Sequence, residues 1–211
     1  MNTRQIQATN VKVRNATPQL NYSMIALVLL SVFPLHVLAQ AAQSRLSTTQ
    51  AQETAQEQMN QQSALLQIVR QSTERFKDVT VAEKEGYALS FGCVSGPDFG
   101  AMGLHFINGA ILQGGEVDAT RPQIVLYEPA ADGSLQLTGA DYLVFADAWD
   151  KKNQGPPQLM GQIFQYFESP NRFGLPPFYT LHVWAWKDNP NGAFVNWHPK
   201  VKCVQFSGQI P

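Results

Sequence analysis

The pattern of apolar and polar positions divides the chain into a helical first part and a strand-rich second part. Residues 40–62 are polar and glutamine-rich without a regular apolar face, which predicts a tether or the exposed start of a helix. Leu65, Val69 and Phe76 then recur near helical spacing, which predicts a helix that ends around Phe76. The stretch Thr80–Glu83, "TVAE", matches a capping box and predicts a second, short helix.

After this helical part, short apolar runs alternate with turn residues. The pair Asp132-Gly133 lies between two of these runs and predicts a hairpin. Helices followed by antiparallel strands are typical of an α+β domain. The predicted strands are "YALSFGCV", "LHFIN", "PQIVLYEP", "LQLTGADYLVFAD" and "YTLHVWAWK".

The last of these strands indicates the shape of the sheet. Because side chains alternate between faces, Thr180, His182, Trp184 and Trp186 are predicted to share one face, opposite Leu181 and its alternating partners. Both faces carry large apolar side chains, so the sheet is expected to be curved or barrel-like and covered on both sides.

A histidine on the face that carries the indoles predicts a pocket lined by aromatic side chains. Trp184, Trp186 and Tyr127 are the candidate residues for its wall.

The N-terminal segment has the layout of a secretory signal. The first 52 residues contain basic but no acidic side chains, and an apolar run over Met24–Leu38 is followed by the small residues of "AQAAQ". We therefore predict a signal peptide over residues 1–41, cleaved after Ala39 or Ala41, with an uncleaved inner-membrane anchor as the alternative. Residues 42–62 are then the glutamine-rich tether, and residues 63–211 a single α+β domain, exported to the periplasm or the medium.

Export changes the meaning of the two cysteines. Cys93 and Cys203 both lie after the leader, and an oxidising compartment favours their pairing. The bridge would close a loop of roughly 110 residues, worth about 4–5 kcal/mol in the chain-entropy model. Two buried free thiols are the alternative.

The charge of the exported part argues against polyanionic partners. Without the leader, twelve basic residues face sixteen acidic ones, and no basic run is present. We therefore expect no nucleic-acid binding, and membrane contact only through the N-terminal segment. The partner is expected to be a small molecule or a metal ion.

Standard catalytic signatures are absent from the sequence. It contains no G-x-S-x-G, no H-E-x-x-H, no phosphate-binding G-x-x-x-x-G-K-[ST], no G-x-G-x-x-G and no C-x-x-C. Serine hydrolases, zincins, nucleotide-binding enzymes and thioredoxin-like oxidoreductases all lose support, and whether the protein is an enzyme stays open.

The candidate chemistry lies in polar residues inside apolar strands. His105, Glu128 and His182 each lie among apolar neighbours, where an imidazole or carboxylate needs a partner. Together they can supply three ligands to a divalent transition metal such as Zn, Fe, Cu or Mn and leave a position open. The alternatives are hydrogen-bonded core histidines and an exposed Glu128 at a strand end, with no cofactor. His198, before a proline, is expected in a surface or turn position.

Five stretches stand out in the second part of the chain: "GYALSFGCV", "GAMGLHFIN", "IVLYEP", "LTGADYLVF" and "YTLHVWAWKDNPNGAFVNWHPKVKC". In this order, the five motifs resemble a family of small exported bacterial proteins of unassigned function. They cover roughly Phe76 to Cys203, and the resemblance implies His105, Glu128 and His182 as site positions and Cys93–Cys203 as a bridge. The sequence therefore predicts an exported protein with an aromatic-lined pocket that binds a divalent metal. A non-enzymatic small-ligand-binding protein or a structural envelope protein is the alternative.

Overall fold

The structure is a computed structural model that describes residues 33–206, in which helices come first and strands follow. The helices are α1 (Phe33–Thr73), a 3-10 turn (Glu74–Lys77), α2 (Val79–Lys84), α3 (Gly109–Gly114) and α4 (Ala146–Asp150). The strands are β1 (Tyr87–Gly96), β2 (Gly100–Asn108), β3 (Ile124–Pro129), β4 (Leu135–Phe145), β5 (Gln158–Leu159), β6 (Gln162–Ile163), β7 (Gln165–Phe167) and β8 (Phe178–Val183).

Six of the strands form one sheet in the order β1-β2-β3-β4-β8-β7, and each neighbouring pair is antiparallel. Strands β5 and β6 form a separate two-stranded ribbon. The large sheet is curled into half a barrel. The predicted α+β fold with a curved antiparallel sheet is therefore confirmed. The predicted hairpin is present as well, since β3 and β4 are adjacent and Gly133 adopts a φ of 83° in the turn between them.

Helix α1 includes the glutamine-rich segment 42–62, which is helical, with most of its described side chains exposed. The sequence left two interpretations of this segment, a tether or the exposed start of a helix, and the structure agrees with the second. Contacts divide the chain into residues 1–50 and residues 51–211. Most of the predicted signal peptide lies outside the described residues. Within residues 33–206, no helix combines the length and the apolarity that crossing a bilayer requires.

One face of the sheet packs on the end of α1. Leu65 and Val69 are fully buried there, in a cluster with Tyr142 of β4 and Val183 of β8. The predicted helical spacing of these positions is confirmed, and Phe76 follows in the 3-10 turn, buried against the neighbouring part of the same face. The apolar stripe at the end of α1 thus covers one side of the sheet.

The start of α2 differs from the sequence-based expectation. Its N-cap is Asp78, whose carboxylate accepts from the Thr80 backbone N–H at 3.0 Å. The predicted cap at Thr80 was therefore wrong by two residues. The physical reason is that an Asp caps as well as a Thr does, and Thr80 donates its own hydroxyl to the Asp78 carboxylate instead.

Cys93 and Cys203 form a disulfide, as predicted. The bond joins β1 to the C-terminal segment across 110 residues of chain. Such a closed loop contributes about 4–5 kcal/mol in the chain-entropy model. Disulfides persist in oxidising compartments, so the bond itself indicates an oxidising, exported environment.

The predicted strand "YTLHVWAWK" is shorter in the structure. Strand β8 ends at Val183, where the Ala185 N–H donates back to the Val183 carbonyl. The Trp186 N–H then donates to the Thr138 carbonyl at 2.9 Å. Because this turn ends the strand alternation, Trp186 does not continue the face of His182 as predicted, whereas the Trp184 ring still packs against the His182 ring.

Candidate metal centre

Three buried polar side chains from three strands meet on the face of the sheet opposite α1. His105 comes from β2, Asp141 from β4 and His182 from β8. One ligand atom from each lies within 4.8 Å of the other two, and this group can hold a metal ion. Each of the three side chains is at most 6 % exposed.

Strand register places the three residues on one face. Asp141 lies opposite His182 in the β4–β8 pair and opposite Ile124 in the β3–β4 pair. His105 lies opposite Leu126, which is two residues from Ile124 on the same strand. Since directly opposed residues share a face, and so do residues two apart, all five side chains project to one side.

Sheet curvature brings the two histidines together. Strands β2 and β8 are three inter-strand spacings apart, which is about 14 Å on a flat sheet. The centroids of the His105 and His182 rings are nevertheless 6.2 Å apart. The two side chains therefore lean toward each other across this face, and the curl of the sheet together with the reach of both side chains brings the rings close.

Two glycines allow the strands around the site to approach closely. A Cβ added at Gly139 would lie 2.0 Å from the Val183 carbonyl oxygen, and one at Gly103 would lie 2.4 Å from the Tyr127 carbonyl oxygen. Gly103 also has a φ of +91°, which disfavours other residues. A side chain at either position would push apart strands that carry the site residues.

Asp141 is held by a neighbour on the same face. The Thr180 hydroxyl donates a short hydrogen bond to Oδ1 of Asp141. Oδ2 of the same carboxylate lies 3.7 Å from Nδ1 of His182, beyond hydrogen-bond distance. One carboxylate oxygen is therefore anchored, and the other faces the histidine.

His182 is buried without hydrogen-bond partners. Neither Nδ1 nor Nε2 forms a hydrogen bond with any described residue. An unsatisfied buried polar group costs about 1–3 kcal/mol, and His182 has two such atoms. The imidazole ring is held in place by packing instead, with its centroid 4.6 Å from the Trp184 ring.

One backbone contact orients the His105 ring. Its Nδ1 lies 3.2 Å from the Gly103 carbonyl oxygen. Because a carbonyl only accepts hydrogen bonds, this contact assigns the proton to Nδ1 and leaves the lone pair of Nε2 available. Orientation of an imidazole through its second nitrogen in this way is usual for metal-binding histidines.

Burial keeps His105 neutral. The pKa of its imidazole is lowered to about 4, mainly by desolvation and to a smaller extent by the nearby His182, against the opposing effects of the Asp141 carboxylate and the Gly103 hydrogen bond. The imidazole is consequently uncharged at neutral pH. The neutral form is the one that binds metals.

A cavity of about 30 Å³ adjoins two of the three residues, His105 and Asp141. It has room for one or two water molecules, since one water needs about 10–15 Å³. Its wall is mainly apolar, although His105, Asp141 and Thr180 reach it. The other side chains that line the cavity are Phe91, Met102, Phe167, Phe173 and Asn196.

The structure brings together two of the three predicted ligands and replaces the third. Glu128 lies outside the group and pairs with Lys187, whose Nζ is 2.7 Å from Oε2. The β2–β3 register explains this, because His105 faces Leu126, and Glu128 lies two residues, about 7 Å, farther along β3. Asp141 takes the acidic position. Its signal in the sequence was the same as that of Glu128, a carboxylate inside an apolar strand.

Of the three aromatic residues predicted to line the pocket, only Trp184 lies beside the site. Trp184 packs directly on the His182 ring. Trp186 instead donates from Nε1 to the Thr73 hydroxyl at 3.0 Å, and Tyr127 donates from its hydroxyl to the Phe76 carbonyl at 2.7 Å, both on the α1 side of the sheet. Phenylalanine side chains take their place at the cavity.

His198 lies outside the three-residue group, and both of its ring nitrogens form hydrogen bonds with backbone groups. The Lys200 N–H donates to Nδ1 at 3.0 Å, so Nδ1 is unprotonated and Nε2 donates to the Asp188 carbonyl at 3.1 Å. The predicted turn position agrees with these contacts, but the side chain is fully buried and not at the surface.

Comparisons of the chain with protein-family models, with curated proteins and with solved structures found no match. The candidate site therefore has to be interpreted from its own geometry.

Proposed function

We propose that this is an exported protein that binds one divalent transition-metal ion through His105, Asp141 and His182. The observation that carries the proposal is His182, a fully buried imidazole with no hydrogen-bond partner for either nitrogen among the described residues. Buried polar atoms almost always have a hydrogen-bond partner, so an atom without one indicates that a bound partner is missing. A metal ion between the three side chains would supply it.

The donor set matches borderline transition metals. Two imidazole nitrogens and one carboxylate oxygen suit Zn²⁺, Fe²⁺, Cu²⁺ and Mn²⁺ better than Ca²⁺ or Mg²⁺, which prefer oxygen ligands. Bonds of about 2.0–2.2 Å place donor atoms closer together than 4.8 Å. Metal binding is therefore expected to draw the three side chains inward by small rotations.

The size of the adjacent cavity favours a metal over an organic ligand in this pocket. Pockets for small organic molecules are typically about 300–1,000 Å³, at least ten times the 30 Å³ found beside His105 and Asp141. The cavity suits a water molecule as a fourth ligand. A bound ion of this class supplies Lewis acidity and a lowered pKa for such a water.

Export to the periplasm or the medium completes the proposal. The Cys93–Cys203 disulfide supports it, and so does the basic, apolar, small-residue layout of the first 41 residues. Expression of the full chain in a bacterial host should yield an exported product whose N-terminus is Gln40 or Ala42. A cytoplasmic product that keeps Met1 would contradict export.

The metal site is tested by stoichiometry. Exported protein is stripped with a chelator, reloaded separately with Zn²⁺, Fe²⁺, Cu²⁺ or Mn²⁺ under suitable redox conditions, desalted and measured by elemental mass spectrometry. We expect about one ion per chain for at least one metal, as a three-ligand site requires. Asp141→Asn should remove most of that metal, and Glu128→Gln is the matched control that should retain it. No bound metal in the wild type, or full retention in Asp141→Asn, would contradict the proposal.

A further inference from the structure

A second concave site lies beside the first, on the outer surface. It is a cleft of about 530 Å³ between the turn after β1, strand β7 and the irregular segment that follows β8. Its volume falls in the range of small-molecule sites. The side chains used in the argument below are Asp98, Phe99, Gln165, Asn191, Asn196 and Trp197.

Two aromatic rings form an exposed platform in the cleft. The Phe99 and Trp197 ring centroids are 6.1 Å apart with the planes tilted by 35°. Phe99 is 59 % exposed, so its ring contributes little to the core. The Trp197 ring packs closely against the backbone at Gly96, where an added Cβ would lie only 3.3 Å from its ring atoms. The two rings therefore present exposed apolar surface to a ligand, and the Trp197 ring is held in place by its packing.

The rest of the wall is made of neutral amides and one carboxylate. Asn196 donates from Nδ2 to Oε1 of Gln165 at 2.8 Å. This bond orients both amides and leaves Oδ1 of Asn196 as an acceptor and Nε2 of Gln165 as a donor. Asn191 and Asp98 add further exposed polar groups. None of the described residues that line the cleft is basic, and the nearest guanidinium, that of Arg172, lies 5.9 Å from the Trp197 ring centroid and donates to the Ser95 carbonyl.

This combination specifies the ligand by its chemistry. Aromatic rings pack against C–H surfaces, and neighbouring amide donors and acceptors suit hydroxyl groups, which both donate and accept. A pyranose ring presents a C–H face and a rim of hydroxyls. A phosphate or nucleic acid would need several cationic side chains in the wall, whereas the cleft presents Asp98 and the neighbouring Arg172 already donates to the Ser95 carbonyl.

We propose that the cleft binds the pyranose rings of a neutral saccharide, which stack on Phe99 and Trp197 and bond to the amides. The proposal is independent of metal binding. Asn196 lines both the cleft and the buried cavity beside His105, so a bound sugar would lie one side chain away from that cavity.

The test uses the full exported chain and three defined probes: cellohexaose, chitohexaose and maltohexaose. Calorimetry and tryptophan fluorescence should show saturable binding of at least one, with a Kd between about 1 μM and 1 mM. Phe99→Ala, at an exposed position that folding does not need, should weaken that binding about tenfold, because the ring buries apolar area against the sugar. Trp197→Phe should weaken it less, since a smaller ring remains.

Tyr166→Ala is the matched control. Tyr166 is an exposed aromatic residue of β7 that does not line the cleft, and its loss should leave the affinity unchanged. The proposal is overturned if none of the three saccharides binds the wild type, or if Phe99→Ala and Trp197→Phe both bind as the wild type does. Decaproline is included because proline-rich peptides also pack on aromatic rings. Binding of decaproline without any saccharide would also overturn it.

Discussion

Two buried histidines flank the same indole, and their surroundings differ completely. The His182 ring centroid lies 4.6 Å from Trp184, and that of His198 lies 4.9 Å from it. Both nitrogens of His198 have backbone partners, whereas neither nitrogen of His182 has any partner among the described residues. Burial alone therefore does not distinguish a structural histidine from a candidate ligand, but hydrogen-bond satisfaction does.

The backbone explains the difference. His198 lies in an irregular segment whose N–H and C=O groups are free to bond a side chain, as Lys200 and Asp188 do. His182 lies in β8 and pairs with Asp141 of β4, so its backbone belongs to the sheet ladder. A strand histidine must find its partner among side chains or ligands. In this protein the side chain nearest to it by register is Asp141.

The largest effect is expected at His198. His198→Ala leaves the Lys200 N–H and the Asp188 carbonyl without their partner and opens a cavity beside Trp184. We expect a loss of about 3–4 kcal/mol in the free energy of unfolding, measured by urea denaturation of metal-free protein. A loss below about 1 kcal/mol would show that these two hydrogen bonds do not explain why His198 is buried.

Acidification should reveal the buried neutral state of His105. The folded-state pKa of about 4 lies below the unfolded value of 6.5, so the unfolded chain binds more protons between these values. Stability attributable to His105 is therefore complete above pH 6.5 and falls as the pH drops to 4, by about 3 kcal/mol.

The measurement is a comparison of urea denaturation curves for metal-free wild type and His105→Gln from pH 7.5 to 4. The difference between the two curves removes the contribution of carboxylates and other histidines, which titrate in both proteins. A difference that stays constant over this range would mean that His105 has an ordinary pKa in the folded state.

His182 should behave in the opposite way to His198. In metal-free protein, His182→Leu removes two unsatisfied buried nitrogens, so its free energy of unfolding should stay within about 1 kcal/mol of the wild type. Saturating metal at about 100 times Kd should stabilise the wild type by about 2.7 kcal/mol, or about 5–11 °C in Tm, and leave the variant unchanged. Equal metal-induced shifts in both proteins would place the metal elsewhere.

The smallest effect is expected at Glu128. Glu128→Gln breaks only the pair with Lys187 near the protein surface, whose side chains are 16 % and 31 % exposed. Partly exposed ion pairs contribute about 0–1 kcal/mol, so thermal unfolding should barely change, and the metal-induced shift in Tm should remain. Loss of that shift in Glu128→Gln would restore Glu128 as a ligand in place of Asp141.

Local signals in the chain were sufficient for much of the fold. The spacing of Leu65 and Val69 predicted the end of α1, and alternating apolar runs predicted the strands. These features depend on neighbours within a few residues, so periodicity reveals them. The Cys93–Cys203 bond was predictable for another reason, since two cysteines in an oxidising compartment have one intramolecular pairing.

The third member of the site was not predictable in the same way. Glu128 and Asp141 carry the same local signal, and only the register of β2 with β3 and of β4 with β8 selects between them. Register depends on pairings between residues far apart in sequence, and a shift of one residue reverses the face of every side chain.

By itself, then, the sequence determined which polar residues are embedded in apolar strands, because the residues that flank them in a strand are also adjacent in the sequence. It could not determine which of them meet. The convergence of His105 with His182 needs a sheet curled enough to reduce about 14 Å to a ring separation of 6.2 Å. Only the tertiary structure decided three further features, because they arise from packing of the whole sheet. These features are the curvature, the turn after Val183 that redirects Trp186, and the backbone partners of His198.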